Sequence, residues 1–136
     1  MYEDDTASQA LGIKLIQVNC GGAIAVMNVK DSMLNGHKTC HGGLIFSLAD
    51  SAFAFACNSQ NQAAVALSCT IDFIHPAFKD DILTATAEAL HQGGRSGVYQ
   101  VKITNQNQQL IAIFKGNSAR IKRSVLPEES ALPKEK

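Results

Sequence analysis

LNGHKTCHGGLIFSLADSAFAFACNS, residues 34–59, decides the fold. It reads as a loop with a His-Gly-Gly turn followed by one long helix. From Leu44 to Cys57 the apolar side chains Leu44, Ile45, Phe46, Leu48, Ala49, Ala52, Phe53, Ala54, Phe55, Ala56 and Cys57 cover most of the helix circumference, which is the pattern of a buried helix. Ser47, Asp50, Ser51 and Asn58 interrupt it at i, i+3, i+4 and i+11, a spacing that gathers them into one narrow stripe. Burying an unpaired carboxylate is costly, so Asp50 is the residue that calls for a reason.

Outward from the helix, the chain reads as strands. Residues 3–11 are expected as a short helix stopped by Gly12, then Ile13–Val18 and Ala23–Val29 as a hairpin turning at Asn19-Cys-Gly-Gly. After the helix come strands over 63–75, stopped by Pro76, over 82–90, over Val98–Thr104 and over Leu110–Ile121. The order is β-β-α-β-β-β-β. A helix apolar on nearly every side has to be enclosed, and antiparallel strands that curl around it can do so. The expected class is α+β, with one domain over residues 1–123 and a polar, Pro-broken, flexible tail over 124–136.

Composition narrows the function. The 136 residues are 46% hydrophobic and 18% charged, with twelve basic and twelve acidic side chains and no Trp. That suits a compact core and gives no net charge to draw nucleic acid or an anionic membrane. The acidic amino terminus lacks the basic and apolar regions of a signal peptide, and the longest apolar run is too short to span a bilayer. The protein is therefore expected to be soluble and cytoplasmic. Cys20, Cys40, Cys57 and Cys69 are widely spaced without a C-x-x-C pair, which favours neither a disulfide framework nor zinc. Cys57 and Cys69 read as small core residues; Cys40, beside His41, is a conceivable nucleophile that nothing in the sequence requires.

HGGLIFSLADSAFAFACNS, together with LSCTIDFIHP at 67–76, LTATAEALHQG at 83–93 and SGVYQVKITNQ at 96–106, resembles the phenylacetate-degradation thioesterases of the hotdog-fold acyl-CoA thioesterase superfamily. The likeness covers most of the chain. It implies a hotdog fold, a sheet wrapped around one central helix, and hydrolysis of an aryl-acyl-CoA, of the phenylacetyl-CoA or hydroxyphenylacetyl-CoA class, to free acid and CoA. It implies no metal and no cofactor beyond the CoA of the substrate. By this resemblance Asp50 is the catalytic general base or nucleophile, and the Gly42 backbone N–H polarises the thioester carbonyl. Asn35 and His41 line the same pocket. Some relatives carry an assisting serine on the following strand; that position is Ala66 here, so Ser51 or Ser68 is a candidate replacement.

The residues themselves support half of this. A helix that starts after Gly42-Gly43 offers unpaired N–H groups and a positive dipole end to an oxyanion. Asp50, however, lies roughly 10–12 Å down the helix at 1.5 Å rise per residue, whereas base and oxyanion donor must both approach within about 3 Å of the reacting atoms. Two antiparallel helices from two subunits could meet that condition, so a homodimer with composite sites is expected; the family resemblance implies the same and a tetramer of such dimers. Further candidates for substrate contact are Gly43, Ser51 and Phe46, with Phe53 or Phe55 as other aromatic walls. Arg95 and Ser96, or Lys115, Arg120, Lys122 and Arg123, are candidates for the CoA phosphates. Asn35 and Gly36 equally suit a plain turn, His41 a structural histidine, and Arg95-Ser96 an exposed loop. Two rival functions stay open: a 3-hydroxyacyl thioester dehydratase using His41 with Asp50, and a non-catalytic acyl-CoA sensor.

Overall fold

A computed structural model describes residues 1–122. Arg123 and the expected flexible tail over 124–136 lie outside the described residues. The elements are a 3-10 turn at Tyr2–Asp4, α1 at Thr6–Ala10, β1 at Lys14–Asn19, β2 at Gly22–Asn28, a second 3-10 turn at Asp31–Met33, α2 at Gly42–Cys57, β3 at Ala64–Phe73, β4 at Ile82–Gln92, β5 at Ser96–Thr104 and β6 at Leu110–Arg120. The six strands form one antiparallel sheet in the order β1-β2-β4-β5-β6-β3, with α2 against its inner face.

Period-two alternation builds that inner face. Ala23, Ala25 and Met27 on β2, Leu83, Ala85 and Ala87 on β4, and Tyr99, Val101 and Ile103 on β5 are all buried. Facing them, α2 buries Ile45, Leu48, Ala49, Ala52, Phe53, Phe55, Ala56 and Cys57. Small residues in the sheet let the helix come close. A Cβ on Gly116 of β6 would lie 2.7 Å from the Phe53 ring, so this position must be glycine for α2 to seat. Phe53 packs at 5.7 Å on Tyr99 and 5.6 Å on Phe114, ring centroid to centroid.

Beyond one-residue shifts at strand ends, the sequence reading differs from the structure in four places, the first being that the strand expected over 63–75 ends at Phe73. Residues 2–10 are two short pieces, a 3-10 turn and α1, because Asp5 leaves helical geometry to cap α1 through the Ser8 N–H. Helix α2 begins at Gly42, since His41 is its N-cap. The loop between β4 and β5 shrinks to residues 93–95, as the ladder runs to Gln92 paired with Gly97. Among the described residues no helix is long and apolar enough to cross a membrane.

Candidate active site

The start of α2 is held by its loop. The backbone N–H of Cys40 donates to Ala77 O and that of His41 to Met33 O, both at 2.8 Å. Asn35 forms the turn that aims this loop: its Oδ1 accepts from the His37 N–H at 2.9 Å, the Thr39 N–H at 3.2 Å and the Thr39 hydroxyl at 3.2 Å. The turn role of Asn35 is thus filled by its oxygen, which leaves its amide NH2 as the group with capacity for another partner.

His41 caps α2 by accepting the Gly43 N–H on Nδ1 at 3.3 Å. A neutral His41 ring that accepts on Nδ1 carries its proton on Nε2 and can donate from it. The same bond occupies Gly43, while the next two amides, of Leu44 and Ile45, return to His41 O. The Gly42 N–H has no partner among the described residues. It is the open donor at the positive end of the helix, suited to a developing oxyanion. The Phe73 ring walls this amide closely; a Cβ on Gly42 would lie 3.1 Å from it.

Strand β3 runs alongside α2 in the opposite sense. Phe73 meets Gly42, Cys69 is close enough to interact electrostatically with Asp50, and Asn58 Oδ1 accepts the Ala64 N–H at 2.9 Å. Gly42 and Asp50 accordingly share the β3 side of the helix. They remain separated by eight residues, about 12 Å along the axis, so one chain does not bring them together.

Asp50 is half-buried and makes no ion pair among the described residues. Burial, and secondarily the Asp5 carboxylate, push its carboxyl above the ordinary aspartate range. A carboxylate in that condition is a stronger base and can be held for catalysis.

The remaining candidates divide. Ser51 is half-buried and its Oγ is 2.7 Å from Ser8 Oγ. Phe46 is half-buried, edge-on to Phe114 at 5.4 Å. Phe53 and Phe55 are 1% and 3% exposed, core packing that leaves little ring surface for a substrate. Ser68 is turned to Asn117, whose amide donates to it at 2.9 Å, and Ala66 opposes Ser118 across β3 and β6. Arg95 and Ser96 are exposed at the far end of the sheet, where Ser96 pairs with Ala119; Phe73, beside Gly42, pairs with Ala112. Seven residues of β6 separate those levels, roughly 24 Å, so within one chain Arg95 and Ser96 do not join Gly42. Lys115 and Lys122 are exposed, and Arg120 binds Gln60 Oε1 through Nη2 at 2.6 Å. Burial pushes the Cys40 thiol, with some help from Asp81, and the Cys57 thiol each up to about 11, which makes poor nucleophiles of both. A cavity of about 340 Å³ opens beside the other end of α2, between Tyr2, Leu15, Val18, Phe55 and Asn58.

The sequence reading missed Phe73, Asp5 and Ser8 as parts of this neighbourhood. Asp5 and Ser8 carried a legible signal, an acidic cap three residues before a serine; Phe73 carried none, because its contact with Gly42 spans thirty-one positions of sequence.

Residues 37–112 match the model of the thioesterase superfamily. The chain is 54% identical over 128 residues to the acyl-coenzyme A thioesterase PaaI of Escherichia coli, covering 94% of this chain and 91% of that protein. The solved structure of E. coli PaaI, from the phenylacetic acid degradation operon, superposes with a TM-score of 0.90 at 55% identity, over 91% of this chain and 90% of that one. A phenylacetic acid degradation protein PaaI of Thermus thermophilus superposes with a TM-score of 0.83 at 35% identity, over 86% of this chain and 100% of its own.

Proposed function

The chain belongs to the thioesterase superfamily and is an acyl-CoA thioesterase, and we propose that it hydrolyses aryl-acyl-CoA thioesters of the phenylacetyl-CoA or hydroxyphenylacetyl-CoA class at a site shared by two subunits. The observation that carries the shared site is the pairing of an open Gly42 N–H with a half-buried, base-strengthened Asp50 on the same side of one helix, too far apart to serve one carbonyl. The aromatic acyl class is supported by relatives whose names attach them to phenylacetic acid.

The free edge of β3 supports the pairing of subunits. It is the last strand of the sheet, hydrogen-bonded only to β6 among the described residues, and Val65, Leu67 and Phe73 on it are 47%, 65% and 53% exposed. An apolar, unpaired edge is a template for another strand. Antiparallel pairing of two β3 strands about a two-fold axis sets the two α2 helices side by side and antiparallel. An axis level with Phe46, midway between Gly42 and Asp50, brings Gly42 of one subunit opposite Asp50 of its partner.

In this site the thioester oxygen accepts from the Gly42 N–H, with His41 Nε2–H and the Asn35 amide as further donors. Asp50 of the other subunit takes a proton from water as the oxygen attacks the carbonyl carbon, or attacks the carbon itself. The tetrahedral adduct collapses by breaking the C–S bond, and the CoA thiolate leaves and is protonated; where Asp50 itself attacked, water then adds to the Asp50 carboxyl carbon of the mixed anhydride, which frees the acid and regenerates Asp50. Substrate, water and these side chains suffice, so the reading calls for no metal or redox cofactor. A tetramer of two such dimers and a cytoplasmic location belong to the same reading.

The test is thiol release from phenylacetyl-CoA by Asp50→Ala, by Gly42→Pro and by the two inactive proteins after subunit exchange. Activity returning toward one quarter of the wild-type level supports the composite site; activity that never returns after exchange excludes it. Isotope-labelled water in a single turnover separates general-base attack, with label in the acid alone, from nucleophilic attack, with label in Asp50.

A further inference from the structure

Helix α1 is fastened to α2 by a chain of three side chains. The Ser8 hydroxyl donates to Asp5 Oδ2 at 2.7 Å and lies 2.7 Å from the Ser51 hydroxyl. A hydroxyl has one proton to give. Ser8 gives its own to Asp5, so Ser51 must be the donor to Ser8, and the chain runs one way, Ser51 to Ser8 to Asp5. The second contact, from the Ser8 N–H to Asp5 Oδ1 at 3.0 Å, locks the carboxylate in place. Ser8 is 2% exposed, although it belongs to a five-residue helix near the chain end. A buried serine is stabilised there only by satisfying both neighbours.

We propose that Asp5 is a positioning residue for the site: the one-way chain through Ser8 and Ser51 pins α1 to α2 and fixes a second carboxylate beside Asp50. This rests on the reading of Asp50 as the catalytic carboxylate. Ser51 is then not a free substrate contact, since its proton is committed; it is the anchor on α2 for that second charge. A fixed like charge disfavours ionisation of Asp50 and so makes it a stronger base, in line with the direction in which its carboxyl is displaced. The other titratable groups interacting with Asp50 are the Cys57 thiol of its own helix and the Cys69 thiol of β3, both raised by burial and thus uncharged near neutrality. No cation pairs with it among the described residues.

Asp5→Asn tests this cleanly, because asparagine still caps α1 while losing the charge. The measurement is the pH dependence of kcat for the full chain with phenylacetyl-CoA. The acid limb reports ionisation of Asp50, and its midpoint is expected to fall by about half a pH unit in Asp5→Asn, the effect of one like charge removed in a partly solvated site. Asp5→Glu is expected to restore it toward the wild-type position. Ser8→Ala, which cuts the hydroxyl link from Asp5 to Ser51 but keeps the backbone N–H cap, is expected to move the limb in the same direction by less. An acid limb unmoved in both Asp5→Asn and Ser8→Ala overturns the proposal, whatever happens to thermal stability. Failure of the underlying reading looks different: Asp50→Asn would keep its activity.

Discussion

The sheet has two edges, and they are built differently. Strand β1 has six residues, a bulge between Leu15 and Gln17, and polar Lys14, Gln17 and Asn19 along it. The amino-terminal segment flanks it, with the Tyr2 hydroxyl donating to Ile13 O at 2.7 Å. Strand β3 has ten residues with Asp72 as their one charge, and it exposes Val65, Leu67 and Phe73. Strand β3 is bulged too, between Ala66 and Ser68, and β1 exposes Ile16 and Val18, so length and cover separate the edges: a short, flanked strand resists pairing, whereas a long exposed one invites it. On the proposed shared-site reading, β3, the edge beside Gly42 and Asp50, is the one that takes a second copy, and β1 is the closed end.

The sharpest way to break this comparison is a pair of charge insertions. Leu67→Asp on β3 is expected to yield monomers by light scattering and to lower kcat/KM by about 10²-fold or more, the scale of losing a positioned catalytic group. Ile16→Asp on β1, at a residue 58% exposed, is expected to leave molecular mass and activity within about twofold, as surface changes usually do. Equal effects at both edges would remove the distinction.

Next in size is Gly116→Ala, which presses a methyl group 2.7 Å from the Phe53 ring and so pushes α2 away from the strand that carries β3. Overpacking of this kind costs about 1–3 kcal/mol, measurable by urea denaturation. Gly42→Ala brings a methyl to 3.1 Å from Phe73, a contact that ring can partly yield to. Thiol release is expected to fall by about tenfold, and Phe73→Ala in the same chain should recover part of the loss, a coupling read from the double-mutant cycle.

The smallest effect is thermal. Asp50 has its folded-state carboxyl raised, so its protonated form favours the fold; that contribution is fully present below the unfolded value, near 3.9, and is lost as pH rises through the folded one. Asp50→Asn should therefore melt a few degrees above wild type at pH 7 and level with it near pH 3. A wild type equally stable at both pH values relative to the variant would mean that Asp50 is not strained by burial.

Much of the fold was legible in local pattern. The alternation in VYQVKIT and ILTATAEAL, the apolar helix after His-Gly-Gly and the awkward carboxylate within it each depend on residues a few positions apart, where periodicity speaks directly. Arg95 and Ser96 read as an exposed turn before they read as a phosphate contact, and register sets them at the far end of β6 from Gly42. Phe55 read as one possible pocket wall; it is buried, at the edge of the cavity beside Tyr2, and an amphipathic reading of a nearly all-apolar helix does not tell which side the sheet will take.

Short-range spacing and motif were enough for the order of strands along the chain, the long central helix, the family and the standing of Asp50 and Gly42 as residues needing explanation. Tertiary structure alone decided which helix-start amide stays open, because His41 folds back on Gly43 and spares Gly42. It also decided what surrounds Asp50, because Asp5 and Cys69 lie on other elements of the chain and come within its range only through packing. Hydrogen-bond competition and burial are properties of a folded surface, and no window of sequence contains them.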